Sequence, residues 1–190
     1  MTSVVETAME SLPRFRTRAP SSIAPIPAAD FVQSMRMLAS GVVIVTSMVD
    51  DRPWGVTLSS LSSFSADPAR IAFSIKQSTA TAQSIAELGS FGVAVLSAES
   101  ADLAARQAAS GRPKFLLEES VSGFGPLLGV PAIKGAIYNL ECKSVLEVEV
   151  LDHVLVVADV LSATTHTPDE SGLVFFNQTF GEFSPKGENS

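Results

Sequence analysis

Between Gly55 and Pro68 the chain reads GVTLSSLSSFSADP, which sets Thr57, Ser59, Ser60, Ser62, Ser63 and Ser65 among apolar residues directly after a strand-like run. That mixture is too polar for a buried strand and too apolar for a solvated loop. Short hydroxyls and the backbone N–H groups beside them are neutral donors that suit a flat polar ligand or a phosphate. Serine-rich segments also serve as turns and flexible loops. Here, however, Arg70 to Ile75 follows at once as another apolar strand, and a floppy linker would not be clamped in this way. We read Thr57, Leu58, Ser59, Ser60, Ser62 and Ser63 as a binding rim.

Three further groups carry chemistry. Lys76-Gln77-Ser78-Thr79 opens a predicted helix, where free N–H groups, two hydroxyls and an ammonium converge as a phosphate would require. The same spacing equally describes a plain Ser78 N-cap beside a surface lysine. His153 follows Asp152 at the start of a strand, either as a hydrogen-bonded turn residue or as a ring placed to orient a substrate. Lys114-Phe115 lies in a long loop and offers a charge and a stacking face. With a formal net charge of −7, binding of an anion requires positive charge to be collected locally, from Lys76, Arg106, Arg112 and Lys114.

The elements that position these groups follow from composition and period. At 190 residues the chain is long enough for one sizeable core. A hydrophobic content of 46% predicts that some apolar surface is buried against a second copy, giving a homodimer. No apolar run approaches the length of a membrane helix. The opening MTSVVETAME lacks a basic start and a signal-like apolar block, so a cytoplasmic protein is expected. The absence of a basic run or a Cys/His cluster argues against nucleic acid and metal partners. The single cysteine, Cys142, lies in a strand-like pattern and reads as a small core thiol.

Residues 1–29, with Pro13, Pro20, Pro25 and Pro27, form an extended or disordered arm, residues 30–185 the domain, and 186–190 a tail. Asp30 is expected to cap a helix with Phe31, Val32, Met35 and Leu38 on one face and Gly41 as its stop. Val42 to Val49 and the run from Trp54 form a hairpin around Asp50-Asp51-Arg52-Pro53. A helix from Ser78 stops at Gly89, a strand covers 91–96, and a helix covers 99–109. Residues 110–129 read as one long functional loop. Ala136 to Val150 and His153 to Ala163 form a second hairpin around Leu151-Asp152, and LVFFNQTFGEF closes the chain. Many short strands with three helices predict a mainly β protein built on an antiparallel barrel.

The ordered set Gly55-x-Thr57 through Ser65-x-Asp67-Pro68, GVVIVTS before it, KQSTAT after it, Lys114-Phe115, Glu141-Cys142 and Asp152-His153 resembles the short-chain flavin reductases over roughly Phe31 to Phe183. That resemblance implies an FMN-binding split barrel, FMN or FAD as flavin, NADH or NADPH as hydride donor, and release of reduced flavin to a partner monooxygenase. It places the rim along the flavin ring and ribityl chain, Lys76, Gln77, Ser78 and Thr79 at the flavin phosphate, and Lys114 and Phe115 near the flavin. It gives His153 the catalytic place beside the nicotinamide, with Phe176 and Phe180 as walls of that pocket. Two other readings stand beside it: a tightly bound flavoprotein oxidase or electron-transfer module on the same barrel, and a non-catalytic ligand-binding subunit. No dinucleotide-type glycine turn is present to choose the nicotinamide. The chain departs from the family pattern at Leu151, where glycine is usual before Asp-His, and at Ala69, where a second proline is usual.

Overall fold

The structure is a computed structural model and describes residues 16–19, 21–165 and 171–183. Residues 1–15 of the expected arm, His166 and the 186–190 tail lie outside the described residues. The chain divides into two compact units, Met1–Gln33 and Ser34–Ser190. The first contains the start of helix α1 (Ala28–Arg36). That helix begins before Asp30, because the Pro27 carbonyl accepts the N–H groups of Asp30 and Phe31 and starts the turn itself. Asp30 therefore sits in the first turn, where a carboxylate favours the helix dipole, and does not cap. Nor does Gly41 stop the helix. Arg36 ends it, its carbonyl accepting from Asn177 at 2.8 Å, and Ser40–Gly41 becomes strand β1.

The second unit is built on a seven-stranded antiparallel sheet. Its strands are β2 (Val43–Val49), β3 (Arg52–Leu58), β4 (Ser62–Ala66), β5 (Ala69–Lys76), β6 (Ser90–Leu96), β9 (Ala136–Val150) and β10 (His153–Thr165), in the order β3-β2-β6-β9-β10-β5-β4. The order explains the curvature. Strands β3 and β4 lie at opposite edges, yet only Ser59, Ser60 and Leu61 connect them, a span of at most about 14 Å. A flat sheet of seven strands would hold its edges about 29 Å apart. The sheet must curl until its edges approach, and the serine segment runs along the seam.

Alternation within the strands sorts the core. Val43 and Val45 of β2 face Phe73, Ile75, Phe91, Val93 and Val156 inside the barrel, while Val42 and Ile44 face Ala94, Leu96, Ala104, Leu116 and Leu173 outside it. Phe73 and Phe91 meet edge to face, their centroids 5.4 Å apart. Helix α2 (Ala80–Leu88) adds Ala82 and Ile85 to the inner core, and helix α3 (Ala101–Ala108) adds Ala104 to the outer. The predicted long loop contains a strand, β7 (Val121–Phe124), which pairs with β8 (Pro131–Ile133). Glycines and a proline between these strands hide their period. The C-terminal β11 (Gly172–Phe176) and β12 (Thr179–Phe183) join β1 in a three-stranded sheet.

Among the described residues three tight turns accommodate residues other than glycine at positive φ, the third being Asn177-Gln178 between β11 and β12 at 47° and 62°. Asp50 and Asp51 sit at 48° and 58°, the pair a two-residue hairpin demands. Leu151 sits at 55° and is 93% exposed, in the place where glycine is usual in the resembling family. The left-handed region costs a Cβ-bearing residue about 1–2 kcal/mol, against about 0.5–1 kcal/mol of backbone entropy for glycine. Leu151→Gly is expected to stabilise the fold by about 0.5–1 kcal/mol, read as a higher urea midpoint at unchanged slope.

Candidate functional site

Strand β3 organises one side of the site. Its free edge is covered by residues 114–116: Gly55 N–H donates to the Lys114 carbonyl at 2.9 Å, and Leu116 N–H donates to the Pro53 carbonyl at 2.7 Å. This bridge sets Phe115 opposite Trp54, the residue immediately before Gly55-x-Thr57. Gly55 has no room for a side chain, since a Cβ there would lie 2.8 Å from Ile44 Cγ2. The Thr57 hydroxyl donates to the Ala104 carbonyl at 2.8 Å and ties the rim to α3. The Lys114 ammonium donates to the Ala109 carbonyl and closes the C-terminal end of the same helix. Burial and the charge of Arg112 lower its pKa. Lys114 thus braces α3, and its charge is not displayed on the rim as the sequence suggested.

The serines divide by role. Ser60 donates to the Ser74 carbonyl at 2.8 Å and accepts from the Ser74 N–H at 3.3 Å, so it pins the seam to β5. Ser62 reaches the Ala72 carbonyl at 3.5 Å. Ser59 and Ser63 are exposed. Leu58 is half-buried and packs against the inner core. A shallow cleft runs beside Thr57, Leu58 and Ser59, walled by Phe175 and Phe180. These two rings are direct cross-strand partners, 5.3 Å apart. Phe176, expected in that wall, follows Phe175 on the strand and points to the opposite face.

The end of β5 carries the charged half. Ile71, Phe73 and Ile75 point into the core, so Ala72, Ser74 and Lys76 point outward. Lys76 pairs in register with His153, and Ser74 with Leu155. Asp152 accepts from His153 Nδ1 at 2.8 Å, and its other oxygen lies 3.9 Å from Lys76 Nζ. The hydrogen bond from His153 is the largest cause of the lowered Asp152 pKa, aided by the charges of His153 and Lys76. Gln77 N–H donates to the Asp152 carbonyl at 3.0 Å, which locks the turn after β5 to the hairpin. The helix cap is Thr79, one residue beyond the expected Ser78. Its hydroxyl accepts from Ala82 N–H at 3.2 Å, leaving Ser78 exposed in the turn.

Since Ser60 is bonded to Ser74, Ser62 pairs with outward-pointing Ala72, and Ser74 stands about 7 Å along the strand from Lys76, the Ser60 and Ser62 part of the rim, Lys76 and the Asp152-His153 pair share one outward face, whereas Leu58 and Ser63 turn to the inner one. Leu155 lies on the same face, exposed between them. The sequence reading missed Ser74 and Leu155, although their alternation with Phe73 and Val156 was visible. Chemically, this face offers an apolar floor for a ring, hydroxyl and N–H donors along it, an ammonium beside a helix start for a phosphate, and an imidazole oriented by a carboxylate.

Glu141 and Cys142 lie away from this face. Cys142 is buried in the inner core, and burial together with the neighbouring Glu141 pushes its thiol up to about 12. A thiol so protonated is no nucleophile. Iodoacetamide at pH 8 is expected to leave Cys142 unmodified in the native protein and to label it stoichiometrically in urea, read by intact mass.

Residues 35–184 match the model of the flavin reductase like domain. The chain belongs to this family. Among its relatives in the flavin reductase family, the FMN reductase (NADH) SmoA of Agrobacterium fabrum is 30% identical over 81% of this chain and 85% of its own. The reductase component of the 4-nitrophenol 4-monooxygenase/4-nitrocatechol 2-monooxygenase of Rhodococcus opacus is 30% identical over 85% of this chain and 84% of its own. Among solved structures, BorF, the flavin reductase component of a bacterial two-component tryptophan halogenase, superposes with a TM-score of 0.74 at 28% identity, covering 84% of this chain and all of BorF. The expected mainly β split barrel is therefore the fold of this protein.

Proposed function

We propose that this protein is an NADH:flavin oxidoreductase that reduces FMN or FAD and hands the reduced flavin to a partner monooxygenase. The observation that carries this reading is the single outward face that joins Ser60 and Ser62 of the rim, Lys76 and the Asp152-oriented His153. In the reaction a hydride, with its electron pair, passes from the nicotinamide C4 to the flavin N5, and a solvent proton completes the reduced ring. The protein's part is placement. The exposed Ser59 and the backbone of the seam would hold the ring edge, Leu155 would floor it, and Lys76 with the first turn of α2 would meet the phosphate. His153, half-exposed and with Nδ1 held by Asp152, would keep Nε2 free to orient the nicotinamide.

The relatives named as reductase components of monooxygenases support transfer to a partner, and those named as NADH-dependent support NADH over NADPH. Exposed Phe64, Val145 and Leu161 supply an apolar surface for a second copy, which supports a homodimer. No helix among the described residues is long and apolar enough to cross a membrane, in keeping with action in the cytoplasm.

The test is NADH oxidation at 340 nm with FMN or FAD added to purified protein, with NADPH in parallel, and mass by light scattering. Flavin-dependent turnover that needs free flavin supports the proposal. Stoichiometric flavin retained through dialysis would point instead to a bound flavoprotein, and no turnover with any pairing would overturn the reductase reading.

A further inference from the structure

Strand β9 outruns its neighbour on one side. It pairs with β10 from Tyr138 to Val150, but β6 reaches only Lys143, where Ser90 is its partner, and the Gly89 carbonyl accepts the Ser144 N–H at 2.8 Å. From Val145 to Val150 the edge of β9 has no strand beside it among the described residues. Leu146, Val148 and Val150 lie on the outward face, opposite Val157, Leu155 and His153, and Glu147 and Glu149 lie on the other. Both glutamates are exposed, stand across from Val156 and Val154, and form no ion pair among the described residues. An unpaired edge is a template for another strand, and charges along it keep out strands of like charge. This edge therefore rejects a second copy of itself and admits a strand with cations at alternate positions.

The chain carries such a strand. Arg14-Phe15-Arg16-Thr17-Arg18-Ala19 alternates arginine with apolar or small residues, so three of the chain's 13 Lys and Arg residues fall within five positions, and no acid lies between Ser11 and Ala29. Pro13 and Pro20 bound the segment, and proline, with no N–H to give, suits the ends of a strand. Arg16, Thr17, Arg18 and Ala19 are exposed, and neither arginine makes an ion pair among the described residues. With Thr17 set opposite Val148, Arg16 and Arg18 fall opposite Glu147 and Glu149 whichever way the strand runs.

We infer that the Arg16–Ala19 segment of a second copy adds as a strand to the free edge of β9, each copy giving one arm and receiving one. Three observations make the second copy the donor. Val43, just after β1, is level with Tyr138 through Val95, so Leu146 lies about 26 Å farther along β9. The chain's own arm would have to be drawn out over that length, at an entropic cost for every residue fixed. Two copies at a net charge of −7 repel, and exchange of a basic segment for an acidic edge offsets that repulsion. Val145, at the base of the edge, is 43% exposed and continues it into the apolar surface that a second copy would cover.

The experiment is disulfide trapping between two full-length variants, Thr17→Cys and Val148→Cys, mixed in equal amounts, mildly oxidised, and digested for mass spectrometry. Cys142 is buried and does not compete. A linkage between positions 17 and 148 at twice the chain mass is expected. Adding Glu147→Lys and Glu149→Lys to the Val148→Cys chain is expected to lower its yield at least ten-fold, and adding Arg16→Glu and Arg18→Glu to the Thr17→Cys chain to restore it. No such linkage, or a yield indifferent to both charge reversals, overturns the inference. A linkage found only at single-chain mass, when both cysteines are placed in one chain, puts the chain's own arm on the edge and overturns the second copy as donor. In the cysteine-unmodified protein, amide hydrogen exchange over residues 145–150 is expected to be at least ten-fold slower than in the Arg16→Glu, Arg18→Glu protein, and equal rates overturn the inference as well. Neither measurement needs flavin or nicotinamide, so their outcome stands apart from the reductase reading.

Discussion

Lys76→Ala is expected to weaken FMN binding roughly ten- to hundred-fold while leaving riboflavin affinity unchanged. The range follows from the about 1.5–3 kcal/mol that a hydrogen bond to a charged group contributes. The selectivity follows from geometry. Lys76 projects from the end of β5 beside the turn into α2, and its ammonium has no closer acid than Asp152 Oδ2 at 3.9 Å. Both side chains are largely exposed, so removing this pair costs the fold little. Asp152 keeps its principal partner, His153, at 2.8 Å. Since its pKa is lowered, the carboxylate stays ionised from neutral pH into the mildly acidic range, and it releases His153 only as pH falls through that lowered value. The Lys76 effect is accordingly expected to persist between pH 6 and 8. Lys76→Arg, which keeps the charge, is expected to retain most of the affinity. Flavin fluorescence quenching with FMN and riboflavin in parallel measures both arms. Equal losses for the two ligands would show that Lys76 shapes the ring site, and no loss for either would remove it from the phosphate site.

The largest effect on stability is expected at Glu141. This carboxylate is 4% exposed and sits in β9 with its oxygens accepting the backbone N–H groups of Leu127 and Leu128. It thereby fastens the link between β7 and β8 to the sheet. Gly125 makes the approach possible, since a Cβ there would fall 2.3 Å from Glu141 Cδ. Glu141→Ala strips the acceptors from two N–H groups in a part-buried site, and a loss of about 3 kcal/mol is expected. Glu141→Gln keeps a neutral amide oxygen for the Oε2 position but loses the charge and sets its –NH2 against the Leu127 N–H at the Oε1 position, for an expected loss of about 1–2 kcal/mol. Urea unfolding gives both values, with the midpoint falling and the slope preserved. A Glu141→Ala protein as stable as wild type would mean that water or a loop shift replaces the carboxylate.

In this chain, then, Glu141-Cys142 serves the architecture, and the face built from β5, β10 and the seam is the one we propose for chemistry. Lys114 illustrates why motif membership alone does not assign a role. Its charge reads in sequence as available for an anion, but in the fold the α3 carbonyl end claims it, and the open cations nearby are Arg106 and Arg112. Ser60 and Thr57 are similar cases. Both belong to the rim, yet their hydroxyls hold the rim together through Ser74 and Ala104.

The amino-acid sequence alone determined the strands with clear period-two alternation, the hairpin reversals around Asp50-Asp51-Arg52-Pro53, of which Arg52 and Pro53 belong to β3, and around Leu151-Asp152, the Gly89 helix stop and the core place of Cys142. Each of these depends on residues within one turn or one strand of each other. Tertiary structure decided the rest. It set Thr79 and not Ser78 as the cap, turned Phe175 and not Phe176 to the cleft, drew β7 out of the expected loop and brought Ser74 and Leu155 beside Lys76 and His153. Those outcomes depend on partners far along the chain, since which face of a strand looks inward and which hydroxyl is already spent are settled only when the sheet curls and its edges meet at the serine seam.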